Sequence, residues 1–168
     1  MKKCLILALS ALVAGCDQKG DSSGGNISPT DINAEATRPL LSTSVIVTDQ
    51  TKGNFVVDAR TSGATFENRS DNAATFVFRA QGEWSFAPGG TLLGPSGTTS
   101  PAPANFLLPG ANSFELVMKR GDGKYAHIGD GGEVTLAPRE VISFAMNDVA
   151  GAFSDNRGWL TVDWSKMR

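Results

Sequence analysis

From residue 43 onward, apolar residues recur with a period of two, in short runs rich in β-branched and aromatic side chains. That period puts successive side chains on opposite faces of an extended strand. It runs through 43–48, 54–59, 74–80, 113–119, 140–147 and 158–164. Between the runs sit clusters such as Pro88-Gly89-Gly90 and Pro109-Gly110, which end strands and accept positive φ. Asp122-Gly123 lies between Val117-Met118-Lys119 and Lys124-Tyr125-Ala126, the pattern of a tight hairpin. No stretch carries a convincing amphipathic helix. Strands of this kind must each bury one face, so the economical fold is all-β: a single-domain antiparallel β-sandwich, jelly-roll-like in layout.

Alternation also assigns the faces. In Ala74–Ala80, Phe76 and Phe78 point one way while Val77 and Arg79 point the other. In Glu140–Asn147, Ile142, Phe144 and Met146 oppose Val141, Ser143 and Ala145. The Phe and Ile faces are the expected core. Trp159 and Trp164 are five apart, so they fall on opposite faces and one of them is expected to be partly exposed.

The first residues set the compartment. Met1-Lys2-Lys3 is a basic start, Cys4 to Leu12 is an apolar run too short to span a bilayer, and Val13-Ala14-Gly15-Cys16 closes it with small residues before a cysteine. This pattern matches a bacterial lipoprotein signal over 1–15, with the Cys16 thiol lipidated and the chain held at the cell envelope by that anchor. Which membrane face displays the domain stays open. Residues 16–42 then read as the lipidated cysteine and a polar, Gly- and Ser-rich tether, although an edge strand near Ile27 or Ile32 is an alternative. The β-sandwich domain is expected over 43–168.

With Cys4 and Cys16 so used, no thiol is left for a disulfide, and folding rests on a hydrophobic core. Removing Lys2 and Lys3 leaves 13 basic against 17 acidic residues, a formal net charge of −4. Nothing basic is clustered, so nucleic acid is not an expected partner.

Chemistry is concentrated in one loop. Asn147-Asp148-Val149-Ala150-Gly151-Ala152-Phe153-Ser154-Asp155-Asn156-Arg157-Gly158 joins two apolar runs. Asp148, Asp155 and Asn156 offer oxygen to a hard cation, and Ca²⁺ collects six to eight oxygens from carboxylates, amides, backbone carbonyls and water. The same residue types are also those that any turn recruits, and the loop does not spell an EF-hand.

From Ser113 to Trp164 the sequence resembles the small calcium-dependent, galactose-binding bacterial lectins of the LecA type (PA-I galactophilic lectins). The landmarks run in order: Leu116-Val117-Met118-Lys119, a Gly-rich hairpin, Leu136-Ala137-Pro138, then Asn147-Asp148-Val149-x-Gly151 with its Asp155-Asn156-Arg157-Gly158 tail. Gly82-Glu83-Trp84-Ser85-Phe86-Ala87-Pro88 is a looser match to that family's first ligand loop. The resemblance implies a Ca²⁺ site with side-chain oxygens from Asp148, Asp155 and Asn156 and backbone oxygens from Phe86 and Ala152. It implies that a galactoside's hydroxyls coordinate the ion and bond to Asp148, Asp155 and backbone near Val149. It also implies homo-oligomers, for which membrane tethering is an alternative source of avidity. Two departures stand out. Asp155 takes a position where the family usually has Asn. Residues 97–105 lack the His and Gln that complete the family's sugar wall, leaving Thr99 or its neighbours to stand in. The expected function is therefore a calcium-dependent, carbohydrate-binding lipoprotein. The alternative is a non-catalytic assembly lipoprotein that uses the same sandwich to bind a protein.

Catalysis is not expected. The lone His127 has no Cys partner and reads as a hairpin surface residue, and neither Ser113 nor Ser143 sits in a nucleophile elbow. Glu83, Glu115, Glu133 and Glu140 leave a carboxylate pair open in principle. Gly121-Asp122-Gly123 and Gly129-Asp130-Gly131-Gly132 read as turns, since neither opens a helix as a phosphate loop must. Trp84 or Trp159, if exposed, would suit a sugar's apolar face; core packing is the competing reading.

Overall fold

In the computed structural model of the protein, residues 44–168 are described; the signal, Cys16, the tether and the Ile27 and Ile32 alternatives lie outside them. Nine strands and no helix occur among the described residues. They are β1 (Ser44–Val47), β2 (Lys52–Asp58), β3 (Ala64–Asn68), β4 (Ala74–Ser85), β5 (Leu116–Lys119), β6 (Tyr125–His127), β7 (Gly131–Leu136), β8 (Val141–Met146) and β9 (Arg157–Lys166). One sheet has the order β1-β3-β8-β5-β6 and the other β2-β9-β4-β7. All pairs are antiparallel except β1 with β3, which is parallel. The chain is a β-sandwich, as the alternation requires.

The core lies between the sheets. Phe66 of one sheet meets Phe76, Phe78 and Trp164 of the other at 4.9, 5.0 and 5.3 Å between ring centroids, all near edge-to-face. This geometry sets the positive edge of one ring against the negative face of the next. Phe144 packs the same way on Phe78 at 5.2 Å. Ile142, Phe144 and Met146 are buried in the core, whereas Val141 on the other face is exposed. Trp164 is buried and Trp159 half-buried, in keeping with their opposite faces.

Two strands were not evident in the sequence, and a third, β6, was expected only as a hairpin arm. β3 and β7 each offer only two or three inward apolar positions, too short a period to stand out beside their glycines, and β6 is the far arm of the Asp122-Gly123 hairpin. β4 is longer than the run at 74–80 suggests. Gly82-Glu83-Trp84-Ser85, expected as loop, continues it by pairing with Arg157–Leu160 of β9. Gly82 makes this possible: its φ is 110°, and a Cβ there would lie 3.0 Å from the Trp159 carbonyl oxygen. Only a residue without a side chain holds that backbone without strain. The added length also buries Trp84 completely, which removes it as a sugar-stacking residue.

Register brings one set of strand ends together. Ser85 at the end of β4 pairs with Arg157 at the start of β9, and Asp58 at the end of β2 pairs with Trp159. In the other sheet, Met146 at the end of β8 pairs with Leu116 at the start of β5. The loop 147–156 therefore leaves one sheet and enters the other at a rim shared with Phe86, Ala59 and the segment 106–115.

Candidate metal and ligand site

Asn147 fixes the start of the loop. Its side chain is fully buried and makes three of its four possible hydrogen bonds: Oδ1 accepts from the Leu108 amide at 2.9 Å, and Nδ2 donates to the carbonyls of Leu108 and Asn112, both at 3.0 Å. Its backbone amide donates to the Glu115 carbonyl at 2.7 Å and its carbonyl accepts from Phe114 at 2.8 Å. The loop thus starts from a point riveted on three sides. In the sequence Asn147 is only a landmark of the Asn147-Asp148-Val149-x-Gly151 match, with no sign of this bracing role.

Asp148 follows, with 7% of its surface exposed. Its Oδ1 accepts from the Val149 amide at 2.7 Å and its Oδ2 accepts from Asn156 Nδ2 at 3.1 Å. No Lys, Arg or His among the described residues pairs with it. A carboxylate held away from water without a counter-charge is expensive. A cation beside it removes that expense.

Asn156 is fully buried and supplies the second unusual feature. Its Nδ2 faces three acceptors, the Ala59 carbonyl at 3.1 Å, Asp148 Oδ2 at 3.1 Å and Met146 Sδ at 3.4 Å. Its Oδ1 is buried with no partner. Turning the amide over does not help, because the oxygen would then face another carbonyl and a carboxylate. The neighbours fix the orientation, and the orientation leaves an amide oxygen with an unused lone pair next to an uncompensated carboxylate.

Among the described residues, the other expected ion ligands make no hydrogen bond to this pair. Asp155 is exposed, and no ion pair or hydrogen bond reaches its carboxylate from a described residue. Ala152 is exposed; its amide closes a turn on the Val149 carbonyl at 3.0 Å, and its own carbonyl accepts nothing among the described residues. The Phe86 carbonyl likewise accepts nothing among the described residues, and the Phe86 ring is stacked on that of Phe114. Val149 bridges to Phe106. Thr99 is exposed and makes no contact with Asp148 or Asn156; it belongs to the strap 95–112, whose Thr98 amide is tied to the Ser113 carbonyl at 2.9 Å.

The donor set is all oxygen, with two carboxylates, one amide oxygen and two free carbonyls. It fits a hard cation of the Ca²⁺ kind, with remaining positions left to water or ligand hydroxyls. Among the described residues, no group of three or more His, Cys, Asp or Glu side chains is gathered closely enough to hold a metal ion by itself.

A second polar pair lies behind β5. Glu115 is 1% exposed, its Oε2 is 2.8 Å from His127 Nδ1, and its Oε1 is buried without a partner. His127 is mostly exposed, as expected of a surface residue, but a buried carboxylate holds its ring. Burial raises the Glu115 pKa above the ordinary carboxylate value, and the charge and hydrogen bond of His127 only partly offset this. A carboxyl whose folded pKa is raised holds its proton more tightly folded than unfolded. Its contribution to stability is therefore full below the unfolded pKa and is lost as pH rises through the folded one. Glu115→Gln is expected to melt together with the wild type near pH 4 and above it near pH 8. A variant that melts lower at the higher pH in a calorimetric scan would show that the ion pair outweighs desolvation.

No family model matches the chain, and no curated protein matches it. Among solved structures it is similar to a chain described as "EclA N-terminal domain; PllA-like lectin", with 18% sequence identity and a TM-score of 0.47, over 70% of this chain and 97% of that one.

Proposed function

We propose that this protein is a lipid-anchored, calcium-dependent carbohydrate-binding protein, with galactose-type pyranosides as its ligand class. The observation that supports it most is the buried pair of Asp148, a carboxylate without a counter-charge, and Asn156, whose Oδ1 has no partner. The sequence resemblance over 113–164 makes the same residues ligands. Bound there, Ca²⁺ supplies an electrophilic centre with open positions for vicinal hydroxyls. Asp148 and Asp155 then accept from those hydroxyls and orient the sugar, so a shallow surface gains direction without a deep pocket. Charge on two carboxylates alone puts the ion in the weaker range of calcium sites.

Calorimetric titration of the detergent-solubilised full chain with CaCl₂, followed by a glycan array in calcium and in chelator, tests both steps. The expected results are one ion per chain and glycan signals that vanish with chelator. No heat at millimolar calcium would refute the ion site. A silent array with calcium bound would favour a second reading, an assembly lipoprotein that binds a protein through the same rim. What supports that reading is the absence of His and Gln from 97–105.

A further inference from the structure

We propose that Phe86, backed by Phe114, is a stacking platform for the C–H face of a pyranose ring held at the 148–156 loop; this rests on the carbohydrate reading above. Phe86 is the large aromatic side chain left open at this rim, with 38% of its surface exposed. Its ring lies 4.4 Å from that of Phe114 with only 14° between planes, and Phe106 meets Phe114 edge-on at 5.5 Å. Of the tryptophans, Trp84 is buried and instead braces the platform, its Nε1 donating to the Phe114 carbonyl at 2.9 Å.

The backbone of Phe114 indicates that the arrangement is held rather than incidental. Its φ is 64°, a left-handed conformation that bulky residues rarely adopt and that clusters at ligand sites when it persists. Two hydrogen bonds keep it there, its amide to the Asn147 carbonyl and its carbonyl to Trp84. Phe106 ties the other side of the platform to the loop. It bridges Val149, and the next residue, Leu107, donates its amide to the Asp148 carbonyl at 3.0 Å. Phe114 and Phe106 are thus linked through backbone to the residues on either side of Asp148, and Phe86 joins them through its stacked ring. An open phenyl face beside a hydroxyl-binding ion suits a ligand with hydroxyls on one edge and C–H bonds on one face. A galactoside has that shape, because its axial hydroxyl leaves ring carbons three to five with hydrogens on a common side.

Saturation-transfer NMR on the full chain in detergent and CaCl₂, with methyl pyranosides of galactose, glucose and mannose as probes, reads the contact directly. Irradiating the phenyl protons is expected to transfer most strongly to the C–H protons of one galactoside face. Phe86→Ala is expected to weaken galactoside binding about tenfold, as loss of one aromatic contact implies, and Phe86→Trp to retain it. Calcium is titrated separately on each variant, so that loss of the ion and loss of stacking are distinguished. Unchanged galactoside affinity in Phe86→Ala overturns the platform and leaves the ion and sugar reading standing. A wild-type chain that binds calcium and none of the three pyranosides overturns the carbohydrate reading, and the platform with it.

Discussion

Asp148→Ala is expected to abolish calcium binding and, with it, the thermal stabilisation that calcium gives the wild type. Asp148 offers the only buried carboxylate at the site, and the remaining neutral oxygens and the exposed Asp155 are too little charge to hold the ion alone. At free calcium a hundredfold above its dissociation constant, the wild type gains about 2.7 kcal/mol by linkage, and the variant gains nothing. In chelator the comparison changes. The variant sheds an uncompensated buried carboxylate but also removes the acceptor of the Val149 amide and one of the three acceptors of Asn156 Nδ2, so the two melt closer together than they do in calcium. Paired melting scans in CaCl₂ and in chelator check this. A calcium-dependent rise in Tm that survives in Asp148→Ala would move the ion elsewhere.

Asn147→Ala is the other large effect, and it acts through structure. The substitution strands the Leu108 amide and the carbonyls of Leu108 and Asn112, each of which loses its partner from a side chain with no exposure. Each buried group left unpaired costs about 1–3 kcal/mol, and because Leu108 and Asn112 are only half-buried the low end applies, so a loss of up to about 3 kcal/mol is expected. In a domain of this size that lowers Tm by up to about 10 °C. The strap 95–112 and the start of the loop 147–156 are held by the same side chain, so on the proposed reading calcium affinity falls as well, although Asn147 is not itself a proposed ligand. Denaturant titration with and without calcium separates the two effects. A stability loss below about 1 kcal/mol would mean that water replaces the three bonds.

The fold was legible in the sequence where the alternating pattern was long. Phe76 and Phe78 on one strand, and Ile142, Phe144 and Met146 on another, mark their buried faces without help, because burying one face of a strand requires that period. Gly131–Leu136 was not legible. Its first residues read as a turn, and it becomes a strand because β4 supplies a partner from Arg79 to Ala74. The extension of β4 through Trp84 depends on β9 in the same way. Pairing across 75 residues of chain leaves no local mark.

At the candidate site the division is similar. Asp148, Asp155, Asn156 and the loop that carries them stand out because polar, oxygen-bearing residues are gathered between two apolar runs. Which oxygen lacks a partner, however, is a property of contacts. The unpaired Asn156 Oδ1 depends on the Ala59 carbonyl at the end of β2 and on Met146 at the end of β8, both distant in sequence and brought there by register. The aromatic platform is less visible still, since Phe86, Phe106 and Phe114 share no spacing.

By itself, the sequence determined that this chain would form a sandwich of short strands and that Asp148, Asp155 and Asn156 would be gathered in one loop, because periodicity and composition are local quantities. Only the tertiary structure decided that Trp84 is buried while Phe86 is open, that a buried Glu115 holds His127, and that Asp148 and Asn156 face one another at 3.1 Å. Each of these depends on which strand ends meet at one rim, and that is set by long-range pairing and packing rather than by any stretch of the chain alone.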